Sequence, residues 1–229
     1  MEMKYCLVIG AGSGIGFHLL QKLQEKANVF PIGISRRGEG LHYPAERGKN
    51  YRCDLLKKDE VYSVFENIAS EFPRLDLLYV CSGNGVFGRF QDITDLQWDE
   101  HFALNVKGPF LALQSAFPLL LKAENPLVTV LSSTAGHLGF SESAVYCASK
   151  HAVAGLAKAL REEWKKHRIR ISTVYPGAVY TSIWENREGF EKKDMISPED
   201  FGNYLASFSE IPGSAVPEEI HILPLKGIL

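Results

Sequence analysis

The chain has 229 residues, 45% of them hydrophobic and 23% charged, with a formal net charge of −2. This balance suits one large globular domain, offers no basic field for nucleic acid, and contains no apolar run near the roughly 18 residues that would span a bilayer. The opening Met-Glu-Met-Lys-Tyr-Cys-Leu-Val-Ile lacks a secretory leader pattern, and Cys6, Cys53, Cys81 and Cys147 are scattered, so a reduced, cytoplasmic protein without a metal site is expected.

In chain order, residues 5–9 are an apolar run, followed by Gly10-Ala-Gly-Ser-Gly-Ile-Gly16 and an amphipathic stretch through residue 26. That reads as strand, glycine turn, helix. Further strands are predicted at 29–34, 50–53, 76–81, 127–131, 169–175 and 220–223, and helices at about 57–72, 94–105, 109–123, 144–167 and 198–208. Strands without polar alternation, alternating with helix-length segments, predict an α/β fold: a single-domain, doubly wound parallel sheet of about seven strands with helices on both faces. No repeat, low-complexity tract or composition break marks a linker, so residues 1–229 are read as one domain. Residues 178–196 mix aromatics and charges with weak periodicity. They fit a mobile lid or an ordinary surface loop with a short helix, and a small substrate lid is expected at about 178–208.

Gly10, Gly14 and Gly16, with Ser13 and Ile15 among them, lie directly between the first strand and the first helix. Glycines there let the chain turn sharply and let backbone N–H groups approach a pyrophosphate, to which the helix N-terminus adds partial positive charge. The spacing is not G-x-G-x-x-G, yet a dinucleotide can be held the same way. The end of the second strand distinguishes the two nicotinamide dinucleotides. An acid there would bind the ribose hydroxyls and repel a 2′-phosphate, whereas this chain offers Ser35, Arg36 and Arg37, with no acid before Glu39. NADP(H) is therefore expected in preference to NAD(H), the alternative being two solvated surface arginines.

Tyr146 and Lys150 stand four apart on an Ala-rich helix, which puts them on one face. An ammonium beside a phenol favours its ionised form, so the tyrosine pKa is expected to fall from about 10, making it a proton donor and acceptor for a carbonyl or alcohol. Ser133, at the end of the strand before it, is placed to hold the same oxygen. Alone, Tyr-x-x-x-Lys also fits a half-buried tyrosine with a solvated lysine.

In order, these residues resemble the short-chain dehydrogenase/reductase family over about residues 5–181. The family's glycine turn matches Gly10 to Gly16, its Asp after the third strand matches Asp54, and its N-N-A-G matches Val80-Cys81-Ser82-Gly83. Asn105, Ser133, Tyr146/Lys150 and the P-G-x-x-x-T of Pro176-Gly177 to Thr181 follow. The gap of thirteen between Ser133 and Tyr146 also matches. The resemblance implies a Rossmann-like fold and interconversion of a carbonyl and an alcohol, with a small-molecule substrate and neither nucleic acid nor membrane as partner. By resemblance Tyr146 is acid/base, Ser133 orients the substrate oxygen, Lys150 tunes Tyr146 and bonds the nicotinamide ribose, and Asn105 holds a helix distortion and a relay water. Asp54 and Leu55 are expected at the adenine, Ser82 and Gly83 near the adenosine ribose, and Pro176, Gly177, Val179 and Thr181 at the nicotinamide. Read from the residues alone, Asn105 could cap or kink a helix, Asp54 could be an N-cap, and Thr181 could be a loop hydroxyl.

Two departures stand out. Val80-Cys81-Ser82 removes two asparagines, which leaves open a catalytically weak NADP(H)-binding sensor or scaffold of the same fold. The end of the chain, Ile220 to Leu229, lacks the family's Val-Asp-Gly-Gly tail, so a homodimer through the helices bearing residues 105–123 and 146–167 is expected and a tetramer is doubtful. His137, Leu138, Phe140, Tyr180 and Trp184 are candidate substrate residues, although a lone loop histidine such as His137 is more commonly a surface group.

Overall fold

The computed structural model describes residues 2–38, 46–185, 187 and 189–229. Seven strands form one parallel sheet: β1 (Lys4–Ile9), β2 (Val29–Ser35), β3 (Lys49–Arg52), β4 (Leu77–Val80), β5 (Leu127–Leu131), β6 (Arg170–Pro176) and β7 (Glu219–Ile222). Their order is β3-β2-β1-β4-β5-β6-β7, so the winding reverses between β1 and β4. In open sheets of this kind the ligand crevice lies at the carboxyl ends of the strands, at that reversal.

The sheet is buried on both faces because its strands carry apolar side chains at odd and even positions alike. From β1, Leu7 and Ile9 enter one core with Val61, Phe65, Ile68, Ala112, Leu119 and Ala157. Cys6 and Val8 enter the other, with Leu19, Leu20, Phe201 and Leu205. The helices α1 (Gly14–Gln24), α2 (Lys58–Glu71), α3 (Asp95–Phe102), α4 (Gly108–Leu120), α5 (Ala144–Trp164) and α6 (Pro198–Ala206) cover these faces. Local chemistry sets several starts. Thr94 and Gln97 exchange hydrogen bonds in a capping box before α3, and Ser197 caps α6 with Pro198 at its first position.

The expected break between helices at 94–105 and 109–123 is absent. A π-helical turn, Ala103–Lys107, joins α3 directly to α4, with the Gly108 N–H reaching back to the Ala103 carbonyl. Pro109 has no N–H to give the Asn105 carbonyl, which makes a wider turn acceptable here. Of the stretch 178–208, α6 packs on α1, with Phe201 and Leu205 buried, while Ala178, Val179, Thr181, Ile183, Trp184 and Phe190 line the cavity described below.

A Cβ on Gly202 would stand 2.8 Å from the His18 carbonyl carbon and from the Leu19 backbone nitrogen. Gly202→Ala should therefore push α6 off α1 and lower stability by about 1–3 kcal/mol in urea unfolding. Gly139→Ala, where nothing lies within 4 Å, should leave the midpoint nearly unchanged.

Candidate active site

The β1–α1 turn is pressed against the end of β4. Gly10 has φ +87°, and a Cβ there would lie 2.8 Å from the Ser82 nitrogen, so only glycine fits this close approach. Ser13, the N-cap of α1, makes no side-chain cap bond, and the first turn has no acid. The α1 amide groups therefore remain suited to an anion. The Ser82 hydroxyl is buried without a partner among the described residues. Gly14 lies against Thr181, and Gly83 against Asn105 and Lys150, which joins the glycine turn to the Tyr-Lys helix. Arg36 and Arg37 are exposed just beyond Ser35, while Glu39 falls outside the described residues. An open helix N-terminus, an unpartnered hydroxyl and two arginines beyond β2 fit an extended dinucleotide phosphate. Asp54 accepts the Leu56 N–H at 3.1 Å and is not the α2 cap, which is Lys57. Leu55 is buried beneath Gly108.

Beside this cradle, at the carboxyl end of the sheet, lies a cavity of about 250 Å³. Ser133, Tyr146, Lys150, Gly83, Ile15, Pro176, Gly177, Val179 and Thr181 all line it. Ser133 is extended, at φ −174° and ψ 165°, and its hydroxyl accepts the Ala135 N–H at 3.1 Å. Lys150 is only 7% exposed, and its ammonium donates to the Leu131 carbonyl at 3.2 Å. Burial holds its pKa down at about 8.

The expected fall in the Tyr146 pKa is not seen. Desolvation raises it, the Cys147 thiol adds to the rise, and the Ser133 hydrogen bond and the Arg187 charge offset only part of it. The reason is geometric. The Lys150 nitrogen sits 5.8 Å from the centre of the phenol ring and is tied to Leu131, while Phe87 packs on the tyrosine at 5.3 Å and keeps water away.

Asn105 is 2% exposed. Its Oδ1 accepts the Asn84 N–H at 3.0 Å, and its Nδ2 donates to the Asn84 carbonyl at 2.9 Å. With the amide orientation fixed by these partners, Nδ2 also donates to His101 Nε2 at 3.0 Å and approaches Ser149 Oγ at 3.3 Å. His101 Nε2 also lies 2.9 Å from Ser149 Oγ, and its Nδ1 is buried without a hydrogen-bond partner among the described residues. Ser149 donates to the Tyr146 carbonyl at 2.8 Å, so this buried group reaches the helix turn bearing the tyrosine. Desolvation, followed by the Lys150 charge, lowers the His101 pKa to about 4.

Of the candidate substrate residues, Phe140 and Trp184 line the cavity; His137, Leu138 and Tyr180 do not. The 3-10 turn Thr134–Gly136 swings His137 outward, where its ring meets His221 at 5.4 Å. Tyr180 lies under Lys192 instead. The wall also contains Phe87, Ile183, Arg187, Phe190 and Ile228, of which Ile183, Arg187 and Phe190 fall in the stretch expected as a substrate lid. Ser149 and His101 carried no motif. Among the described residues there is no group that could hold a metal ion, and no helix is long and apolar enough to cross a membrane.

A doubly wound parallel sheet, with a glycine cradle at its reversal point and a cavity beside it, defines a dinucleotide-binding α/β protein. The family model for short chain dehydrogenases matches residues 4–192, and the chain belongs to the short-chain dehydrogenase/reductase family. It is 28% identical to a sepiapterin reductase of Chlorobaculum tepidum, over 98% of each chain. It is 26% identical to an NAD-dependent glycerol dehydrogenase of Listeria innocua, over 87% of this chain and 81% of that one. Its fold is similar to that of an alcohol dehydrogenase from Thermococcus sibiricus complexed with 5-hydroxy-NADP, with TM-score 0.85, 19% identity and 96% of each chain covered.

Protonating His101 would place a buried charge near Lys150 and oppose the Asn105 donor. Its folded pKa of about 4 lies below the unfolded value of about 6.5. Between these values the unfolded chain binds the extra proton, so this contribution to stability is present above pH 6.5 and lost as pH falls towards 4. Thermal melts from pH 4 to 7 should show a shallower acid loss for His101→Gln than for the parent, by up to about 1.4 kcal/mol per pH unit.

Proposed function

We propose that this protein is an NADP(H)-dependent oxidoreductase interconverting a carbonyl and an alcohol, with Tyr146 as acid/base. The observation that carries this reading is the convergence of Ser133, Tyr146 and Lys150 on one cavity whose wall continues through Gly83 and Thr181. Relatives named for reduction and for dehydrogenation support carbonyl–alcohol chemistry. The choice of NADP(H) draws on Arg36 and Arg37 and on the NADP derivative in the similar structure.

A nicotinamide held by this cradle would supply the hydride chemistry at the carbonyl carbon, in either direction. Tyr146 gives its hydroxyl proton to the carbonyl oxygen in reduction and takes it back in oxidation. Its raised pKa keeps the phenol protonated at neutral pH, the form a proton donor needs. Ser133 holds the same oxygen, and the Lys150 ammonium favours the phenolate left behind. Asn105 and its buried partners brace the turn beneath them. The remaining cofactor residues act as the cradle: Gly10, Ser13, Gly14, Ile15 and Gly16 at the pyrophosphate, Ser35, Arg36 and Arg37 at the 2′-phosphate, Asp54, Leu55, Ser82 and Gly83 along the adenosine, and Pro176, Gly177, Val179 and Thr181 at the nicotinamide. The same reading takes residues 1–229 as one domain acting as a cytoplasmic homodimer through the 105–123 and 146–167 segments. In the first of these segments Phe110 and Leu121 are exposed.

A second reading, a catalytically weak NADP(H)-binding sensor or scaffold, draws on the tie between Lys150 and the Leu131 carbonyl, which occupies the ammonium away from the phenol hydroxyl. The test is direct. Tyr146→Phe should lower NADPH-dependent carbonyl reduction about 10²–10⁴-fold while NADPH affinity stays within about twofold. A parent protein that binds NADPH but is silent across a broad panel of ketones and aldehydes would favour the sensor. Separately, replacing Arg36 and Arg37 with alanine should weaken NADPH binding at least about tenfold, as expected for lost charge-assisted hydrogen bonds, with NADH little changed. Equal parental affinity for both cofactors would remove the phosphate assignment.

A further inference from the structure

One charged group in the cavity wall acts on Tyr146 only through its electrostatic field. Arg187 lines the cavity with its guanidinium carbon 4.1 Å from the ring centre of Phe87, 4.9 Å from Phe190 and 5.0 Å from Trp184. Three aromatic rings thus hold one planar cation. Stacking uses the faces of a guanidinium and leaves its in-plane N–H groups able to donate. Among the described residues the Arg187 side chain has no carboxylate within ion-pair distance. Partial burial disfavours its charge, and Glu142 and Tyr146 act on it only through their electrostatic fields. The lining residues include no aspartate or glutamate side chain; Phe140, Ile183, Ile228 and the last residue, Leu229, are among them, with the hydroxyls of Ser141 and Ser143.

A partly buried arginine with no carboxylate side chain in ion-pair range, lining the same cavity as Tyr146, is a receptor for an anion. Phe87 touches both groups, with the Tyr146 ring at 5.3 Å and the Arg187 guanidinium carbon at 4.1 Å. We propose that Arg187 binds a carboxylate on the substrate, which is then a carbonyl compound whose reacting group and carboxylate are separated by an apolar or aromatic body about one ring long. A planar carboxylate matches the N–H fork of arginine through two parallel hydrogen bonds. The carbonyl half of this inference rests on the function proposed above; the anion half does not.

Two measurements on the whole chain separate these halves. The first compares kcat/KM with NADPH for 4-formylbenzoate and for its methyl ester, which have the same ring and aldehyde. The parent should prefer the acid at least about tenfold, the scale of a charge-assisted hydrogen bond. Arg187→Met should lose that preference with the ester changed less than twofold, and Arg187→Lys should fall between. The second follows intrinsic tryptophan fluorescence, to which Trp184 in the cavity wall contributes, on titration with benzoate or with benzamide, neither of which can be reduced at an aldehyde. Benzoate should bind the parent and bind Arg187→Met at least about tenfold more weakly, with Arg187→Lys intermediate, while benzamide should not distinguish the three. Equal losses for acid and ester, or benzoate binding that is absent or indifferent to Arg187, would overturn the proposal. Benzoate binding that depends on Arg187, without NADPH consumption on any aldehyde, would overturn the oxidoreductase reading and leave the anion site standing.

Discussion

The candidate site depends on one short junction, where the end of β5 is fastened to the second turn of α5. The Ser132 hydroxyl donates to the Lys150 carbonyl at 2.9 Å. Gly136 lies so close that a Cβ would stand 2.1 Å from Ser132 Oγ and 2.7 Å from the Lys150 oxygen. In extended chain, successive side chains point to opposite sides. With Ser132 committed to the helix, Ser133 has to face the cavity. The same junction brings the Leu131 carbonyl to the Lys150 ammonium. A single backbone contact thus aligns the serine, the tyrosine turn and the lysine, and other side chains of the site are arranged around it.

This junction also shapes the electrostatics. Lys150 is a cation in a nearly dry place, and no carboxylate side chain lines the cavity to neutralise it. Its pKa therefore drops, while the nearby phenol, equally deprived of water, moves up. Two groups that attract each other when charged are both pushed by burial towards their neutral forms. His101 follows the same rule, pushed down by burial and then by the lysine charge. The cavity therefore favours incoming negative charge.

Much of the architecture was legible in the sequence because buried parallel strands announce themselves as unbroken apolar runs. Strand β5 falls at 127–131 as expected, and the other strands differ by a residue or so at their ends. The helix join at 103–107 was hidden because Pro109 normally signals a start, and only the wide turn beside it makes that start continuous with the helix before. The spacing of Tyr146 and Lys150 revealed that they are neighbours, but pKa direction depends on how much water the fold removes, and spacing carries no such information. Arg187 was invisible for a related reason. Its meaning comes from Phe87, a hundred positions away in the chain, and a charged residue in a polar stretch otherwise reads as solvated surface. His137 drew attention as a histidine near the serine, yet the 3-10 turn Thr134–Gly136 takes it to the other side of the loop.

The π turn at Ala103–Lys107 also acts as a phase shifter between two screws. An α-helix rotates about 100° per residue, so the additional residue in that turn sets the angular position of α4 relative to α3. It lets Asn105 point inward while Leu111, Ala112, Ala116 and Leu119 keep their place in the core. Removing one residue would restore a regular spiral and swing one of these two faces away from its partner. Many exchanges of side chain can be absorbed in such a segment, but a change in its length cannot.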